Sequence, residues 1–165
     1  MFKNPIKIMI PLLLLIIPMV GIAKDKLYDF TGQLHQLNEY TGKGKWTVVM
    51  IWAHDCHNCN DEAHQYVAFH KKHKDSDAEV IGISLDGLNK QKKAEAFVSR
   101  HNLNFDNLIG EPIEVAGIYE DLTGVEFFGT PTFLIYNPVG ELRAQQAGAV
   151  PATIIEQFIK KESTK

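Results

Sequence analysis

Cysteine is scarce in this chain: 165 residues contain two, Cys56 and Cys59, with two residues between them. Small secreted domains that rely on disulfides for stability carry several, spread along the sequence. One pair closing so short a loop removes little chain entropy. A disulfide scaffold is therefore excluded, and a staple is the weakest role for the pair. Basic blocks are missing as well. Seventeen Lys and Arg against 20 Asp and Glu give a net charge of −3, which argues against a nucleic-acid partner. There is no internal repeat, and no low-complexity tract beyond an apolar run at the N-terminus. A composition of 45% hydrophobic and 22% charged residues excludes intrinsic disorder. The length suits one domain with a short appendage, large enough for a core that needs no disulfide.

What is present begins with that apolar run. Lys3 and Lys7 precede "IMIPLLLLIIPMVGIA", residues 8–23. A positive start, an apolar stretch and Gly21-Ile22-Ala23 as a small-x-small site read as a signal peptide. The run is short for a membrane span and is broken by Pro11 and Pro18. An uncleaved N-terminal anchor is the alternative. Either way residues 1–23 are an export segment, residues 24–165 are one domain, and the domain is periplasmic or otherwise extracytoplasmic. Disulfides persist in that environment.

Residues 24–45 are polar, with "GKGK" at 42–45 as a turn. "WTVVMIWA", 46–53, is a β-branched apolar run, the mark of a strand buried on both faces. Residues 59–73 repeat apolar positions at helical spacing. "AEVIGISL", 78–85, is a second buried strand. Helices are predicted over 90–102 and 111–122, the latter with Pro112 near its start, where proline is tolerated. "PTFLIYN", a "PVG" turn and "ELRAQQAG" form an antiparallel hairpin over 131–148. Pro151 opens a last helix, with Ile154, Ile155, Phe158 and Ile159 on its apolar face. A βαβ unit followed by a hairpin and a helix gives an α/β fold with a mixed central sheet and helices on both faces.

Cys56 and Cys59 fall where the first buried strand meets a helix N-terminus. Sites in α/β sheets gather at such carboxyl ends. Unpaired N–H groups and the positive end of the helix dipole stabilise a thiolate there. Cys56, nearer the helix start, is expected to attack disulfides, and Cys59, more buried, to resolve the mixed disulfide. A metal clip is the rival. His54, Cys56, His57 and Cys59 form a dense Cys₂His₂ set suited to zinc or copper(I). Cys-x-x-Cys zinc sites, however, take their other ligands from a distant segment. The expectation is no metal site.

"WAHDCHNC" after a β-branched strand, with "GTPTFLI" about seventy residues on, resembles the thioredoxin superfamily, and within it the extracytoplasmic TlpA/ResA branch of thiol–disulfide oxidoreductases. The resemblance runs from about Leu34 to Phe158. It implies a thioredoxin-like fold and a redox-active Cys56–Cys59 disulfide in place of any cofactor. It also implies a cis-proline at Pro131 whose preceding residue, Thr130, pairs with substrate, and a proton-transfer role for Glu62. Trp52 matches the tryptophan before the site. Trp52, His57, Asn58, Thr130 and Pro131 are the substrate-contacting residues it assigns. Expected partners are a disulfide- or thiol-containing protein and a membrane-bound or extracytoplasmic electron donor, with the chain acting as a monomer.

Some positions depart from the family. Asn58 replaces the usual proline, His57 follows Cys56, and Met50 stands where cytoplasmic thioredoxin has a buried aspartate. Asp55 precedes Cys56, where a carboxylate opposes thiolate formation and a protonated His57 would favour it. Glu62 as a plain first-turn surface residue, placed for the helix dipole, is the alternative to its proton-transfer role. His64 is expected in solvent, and His70 and His73 in "HKKHK" at a polar helix end; His35 and His101 show no pattern. Phe127 and Phe128 read as core, or as the wall of a substrate groove. The leading expectation is a reductant of protein disulfides, of the cytochrome c maturation or metal-site assembly type. The segment from Gly87 to Phe128 holds two helices, without the helical insertion of DsbA-like oxidases. A copper chaperone and a thiol oxidase are the alternatives. A peroxidase is disfavoured because the "PxxxTxxC" loop is missing.

Overall fold

A computed structural model of the protein describes residues 26–164. The export segment expected over residues 1–23 lies outside these residues. Seven strands form one sheet: β1 (Leu27–Tyr28), β2 (Leu34–His35), β3 (Trp46–Trp52), β4 (Ala78–Ser84), β5 (Asn107–Ile109), β6 (Thr132–Tyr136) and β7 (Leu142–Ala147). Their spatial order is β2-β1-β5-β4-β3-β6-β7. The central β5, β4 and β3 run parallel, while β6, β7, β1 and β2 pair antiparallel. Four helices complete the fold: α1 (His57–His73), α2 (Gln91–His101), α3 (Pro112–Thr123) and α4 (Ala152–Glu162). Among the described residues no helix is long and apolar enough to cross a membrane.

All seven residues of β3 are buried, as its uninterrupted apolar run requires of a strand covered on both sides. Alternation divides them between two cores. Trp46, Val48, Met50 and Trp52 pack with Ala63, Tyr66 and Phe69 of α1, Phe97 of α2, and Ile155 and Ile159 of α4. Val49 and Ile51 face the other way, against Val115, Ile118 and Tyr119 of α3. Helices thus cover both faces of a mixed sheet, as the sequence pattern predicts. Helix α1 begins at His57, two residues earlier than its periodicity suggests, because Cys56 supplies the cap. Strands β1, β2 and β5 were not legible: two or three residues are too few to show a period. They extend the sheet beyond β4 and close its edge over residues that otherwise read as loop.

The register decides what meets what. Ile51 lies opposite Thr132 and Trp52 opposite Ser84. The carboxyl ends of β3 and β4 and the start of β6 therefore share one end of the sheet.

Candidate active site at the mouth of helix α1

Cys56 is the N-cap of α1, in extended conformation at φ −73° and ψ 116°, and its Sγ accepts the backbone N–H of Cys59 at 3.1 Å. A sulfur here takes the place of the usual capping oxygen. It satisfies one of the orphan donors at the helix start and sits at the positive end of the dipole. Cys56 is half-buried and Cys59 fully buried. The two are joined in a disulfide with Cα atoms 5.2 Å apart. The burial asymmetry is the one expected of an attacking and a resolving sulfur.

The register of β6 against β3 brings Pro131 to the same end of the sheet. The Thr130–Pro131 peptide is cis, immediately before β6 and beside the end of β3. Thr132 Oγ1 donates to Gly129 O at 2.6 Å, and Gly148 N–H donates to Pro131 O at 2.8 Å, which ties the proline to the loop after β7. That loop is gripped from the other side by α1. Glu62 Oε2 accepts Val150 N–H at 3.2 Å, and the Tyr66 hydroxyl donates to Val150 O at 2.7 Å. Glu62 is 7% exposed, so it is not a solvent-facing first-turn residue. Burial pushes its carboxyl above the ordinary range, and Asp61 adds to this, against the opposing bond from Val150. Burial, then the Glu62 charge, also pushes the Tyr66 phenol up and keeps it a donor.

Trp52 has no exposed surface. Its indole stacks on Phe97 with centroids 4.3 Å apart and donates to Asn107 Oδ1 at 3.1 Å. The ring belongs to the core beneath the site. Met50, 1% exposed, fills the position of the missing aspartate, leaving Glu62 as the buried carboxyl on this face. His57 is fully outside, its ring 3.3 Å from Asp61, and Asn58 is exposed beside it. The Cys₂His₂ set is not assembled: the sulfurs are bonded to each other, His57 faces solvent, and His54 turns to a different partner.

That partner is Asp86, which no motif or spacing in the chain singles out. Its side chain is 2% exposed, and its Oδ1 lies 2.5 Å from His54 Nδ1. The histidines at 70 and 73 also differ from expectation. His70 is buried, and its Nδ1 accepts Val80 N–H at 3.0 Å. His73 is 12% exposed, lies 2.8 Å from Asp77 Oδ1 and stacks on Phe69. A charged-looking "HKKHK" concealed them because an α-helix buries every third or fourth residue whatever lies between. His64 is exposed, as expected. The phenylalanine pair is split: Phe127 packs edge-on against Tyr119, while Phe128 is 77% exposed.

The family model described as AhpC/TSA matches residues 22–145, most of the chain. No curated protein matches significantly. Many solved structures share the fold. A putative thiol:disulfide interchange protein DsbE from Chlorobium tepidum is 25% identical, with a TM-score of 0.65 over 83% of this chain and 94% of that one. A secreted Mycobacterium tuberculosis disulfide oxidoreductase homologous to E. coli DsbE is 19% identical, with a TM-score of 0.66 over 84% and 96%. StoA from Bacillus subtilis is 20% identical, with a TM-score of 0.61 over 83% and 98%. The last two likenesses concern the fold; the family match carries the kinship. With a cysteine pair joined at a helix mouth and a cis-proline at the same end of the sheet, this chain belongs to the AhpC/TSA family and is a thiol–disulfide oxidoreductase of the thioredoxin superfamily.

Proposed function

We propose that the protein reduces disulfides in extracytoplasmic partner proteins, of the cytochrome c maturation or metal-site assembly type, using Cys56 and Cys59 and no added cofactor. The observation that carries this is the unequal placement of the sulfurs: Cys56 caps the helix and is half-buried, while Cys59 is sealed behind it. In the reduced protein the Cys56 thiolate attacks one sulfur of the partner's disulfide. A Cys56–partner bond forms, the partner's S–S bond breaks, and its other sulfur leaves as a thiolate that takes up a proton. Cys59 then attacks Cys56 Sγ. The intramolecular disulfide forms, the mixed disulfide breaks, and two electrons have passed to the partner. An electron donor outside the cytoplasm re-reduces the pair.

Glu62, on the turn of α1 after Cys59, is the base for the Cys59 thiol, and burial, which raises its carboxyl above the ordinary range, strengthens its hold on the proton it takes. The partner lies as an extended segment along Thr130 and Pro131, with His57 and Asn58 on its flank and Trp52 supporting the floor. The protein acts as a monomer, exported or anchored through residues 1–23. The region between β4 and β6 holds α2, β5 and α3, with no helical insertion of the kind an oxidase of the DsbA type carries, and this favours the reducing direction. The shared fold with a secreted Mycobacterium tuberculosis disulfide oxidoreductase supports the location.

The test is trapping. A Cys59→Ser variant attacks but does not resolve, so a covalent complex that dithiothreitol dissolves is expected on non-reducing gels from a periplasmic extract. The equilibrium with dithiothreitol should place the pair at the reducing end of the superfamily, at about −270 mV. A pair poised at about −120 mV would make it an oxidant. Failure of Cys59→Ser to trap any partner would remove the exchange chemistry altogether.

A further inference from the structure

We propose that Asp86 and His54 form a positioning pair that fixes the attacking sulfur of Cys56; this rests on the exchange chemistry above. Cys56 is delivered by a tight turn from the end of β3, closed by Cys56 N–H donating to Ala53 O at 3.2 Å. His54 is the second residue of that turn. Asp86 holds it twice: Oδ2 accepts the His54 backbone N–H at 3.0 Å, and Oδ1 accepts from Nδ1 at 2.5 Å. The carboxylate is itself immobilised. Ser84 Oγ donates to Oδ2 at 2.7 Å and accepts the Asp86 N–H at 3.2 Å. Ser84 is the last residue of β4, in register with Trp52, and Leu85 N–H donates to Trp52 O at 3.0 Å. A chain of bonds thus runs from the rigid end of the sheet, through a buried carboxylate, to the residue two before the nucleophile.

A carboxylate buried this deeply needs donors, and an ionised one only accepts. The ring must therefore present Nδ1–H to it, which fixes both tautomer and orientation. The opposite side of the turn is held by Asn60, whose Nδ2 donates to Cys56 O at 2.8 Å and to His54 O at 3.4 Å. Thiol–disulfide exchange needs three sulfurs nearly in line, and an error of about 1 Å in placing the nucleophile can cost a hundredfold in rate. A turn pinned from two sides supplies that placement. Asp86 also accepts three bonds already, so the proximity of His54, Asp55 and Asp86 reflects this pairing and not an ion site.

The experiment measures the second-order rate of reduced protein with oxidised glutathione, beside the melting temperature. Wild type and Cys56→Ser come first. If wild type reduces no disulfide, the functional proposal fails before the pair is tested. Given activity, His54→Ala is expected to slow the reaction about tenfold, a fraction of the full misplacement cost because the backbone bond to Asp86 remains. Its melting temperature should fall modestly, because Asp86 Oδ1 loses its donor while Oδ2 keeps both of its own, and His54→Asn should restore it. His54→Asn, whose amide N–H replaces Nδ1–H, should recover most of the rate. Asp86→Asn should match His54→Ala, and the double variant should be no slower than either. A wild-type rate in His54→Ala, a His54→Asn as slow as His54→Ala, or multiplying effects in the double variant would each overturn the proposal. The His54 variants decide it even if Asp86→Asn does not fold.

Discussion

Replacing Tyr66 by Phe removes one oxygen from the interior, and its consequence follows from the contacts of that oxygen. The Tyr66 hydroxyl donates to Val150 O at 2.7 Å. Both residues are buried, at 0% and 9% exposure, so water does not readily replace the lost donor. The net value of the hydrogen bond is about 1 kcal/mol, and leaving a buried carbonyl unpaired adds about as much again. Little else changes. The phenyl ring keeps its stack on Phe133, with centroids 4.8 Å apart. The expected loss is about 2 kcal/mol, which in a chain of this size lowers the melting temperature by roughly 6 °C. Circular dichroism melts and urea titration measure it. The urea midpoint should fall while the slope stays unchanged, because the surface exposed on unfolding is the same. The Val150 peptide also carries the N–H that Glu62 accepts, so the rate of exchange should fall with it. A variant melting within about 1 °C of wild type would show that the loop beside Pro131 is not held through Val150.

Two further outcomes follow from buried titrating groups. Burial raises the Glu62 carboxyl above its ordinary range in the folded state. Its contribution to stability is therefore complete below the ordinary carboxyl value and is lost as pH rises through the folded one. Glu62→Gln at pH 7 should then be at least as stable as wild type by urea titration, yet about a hundredfold slower in disulfide exchange; a destabilised or fully active variant contradicts the assignment. His70 has the opposite sign. Burial, then Lys74, lowers its pKa, and its Nδ1 must stay bare to accept Val80 N–H. Its contribution is complete above the ordinary imidazole value of about 6.5 and is lost as pH falls toward the folded one. Urea midpoints should drop between about pH 7 and pH 5, and His70→Asn, which keeps an acceptor but not the titration, should flatten that drop. Equal slopes in the two proteins would refute it.

The chemistry of this protein was legible in one dimension because it is local. A β-branched run, a Cys-x-x-Cys at a helix start and a Thr-Pro before a second strand are neighbours in sequence, and their order alone predicts a thioredoxin-like sheet. The long elements were readable for the same reason, since periodicity needs length to show. Strands β1, β2 and β5 have no such length; they exist because partners across the sheet accept them.

Burial of polar groups was not legible, because sequence records a side chain's polarity and not its surroundings. His70 reads as part of a charged helix end and is sealed against β4. Asp86 follows an unremarkable strand, and only the register of β4 against β3 carries it to the turn before Cys56. Local sequence was enough to single out the two sulfurs proposed to exchange electrons, since a cysteine pair at a helix start is visible without any distant partner. The tertiary structure alone decided which groups steady those atoms. Pairings between residues thirty to ninety positions apart are set by strand register and helix docking, which no local pattern encodes.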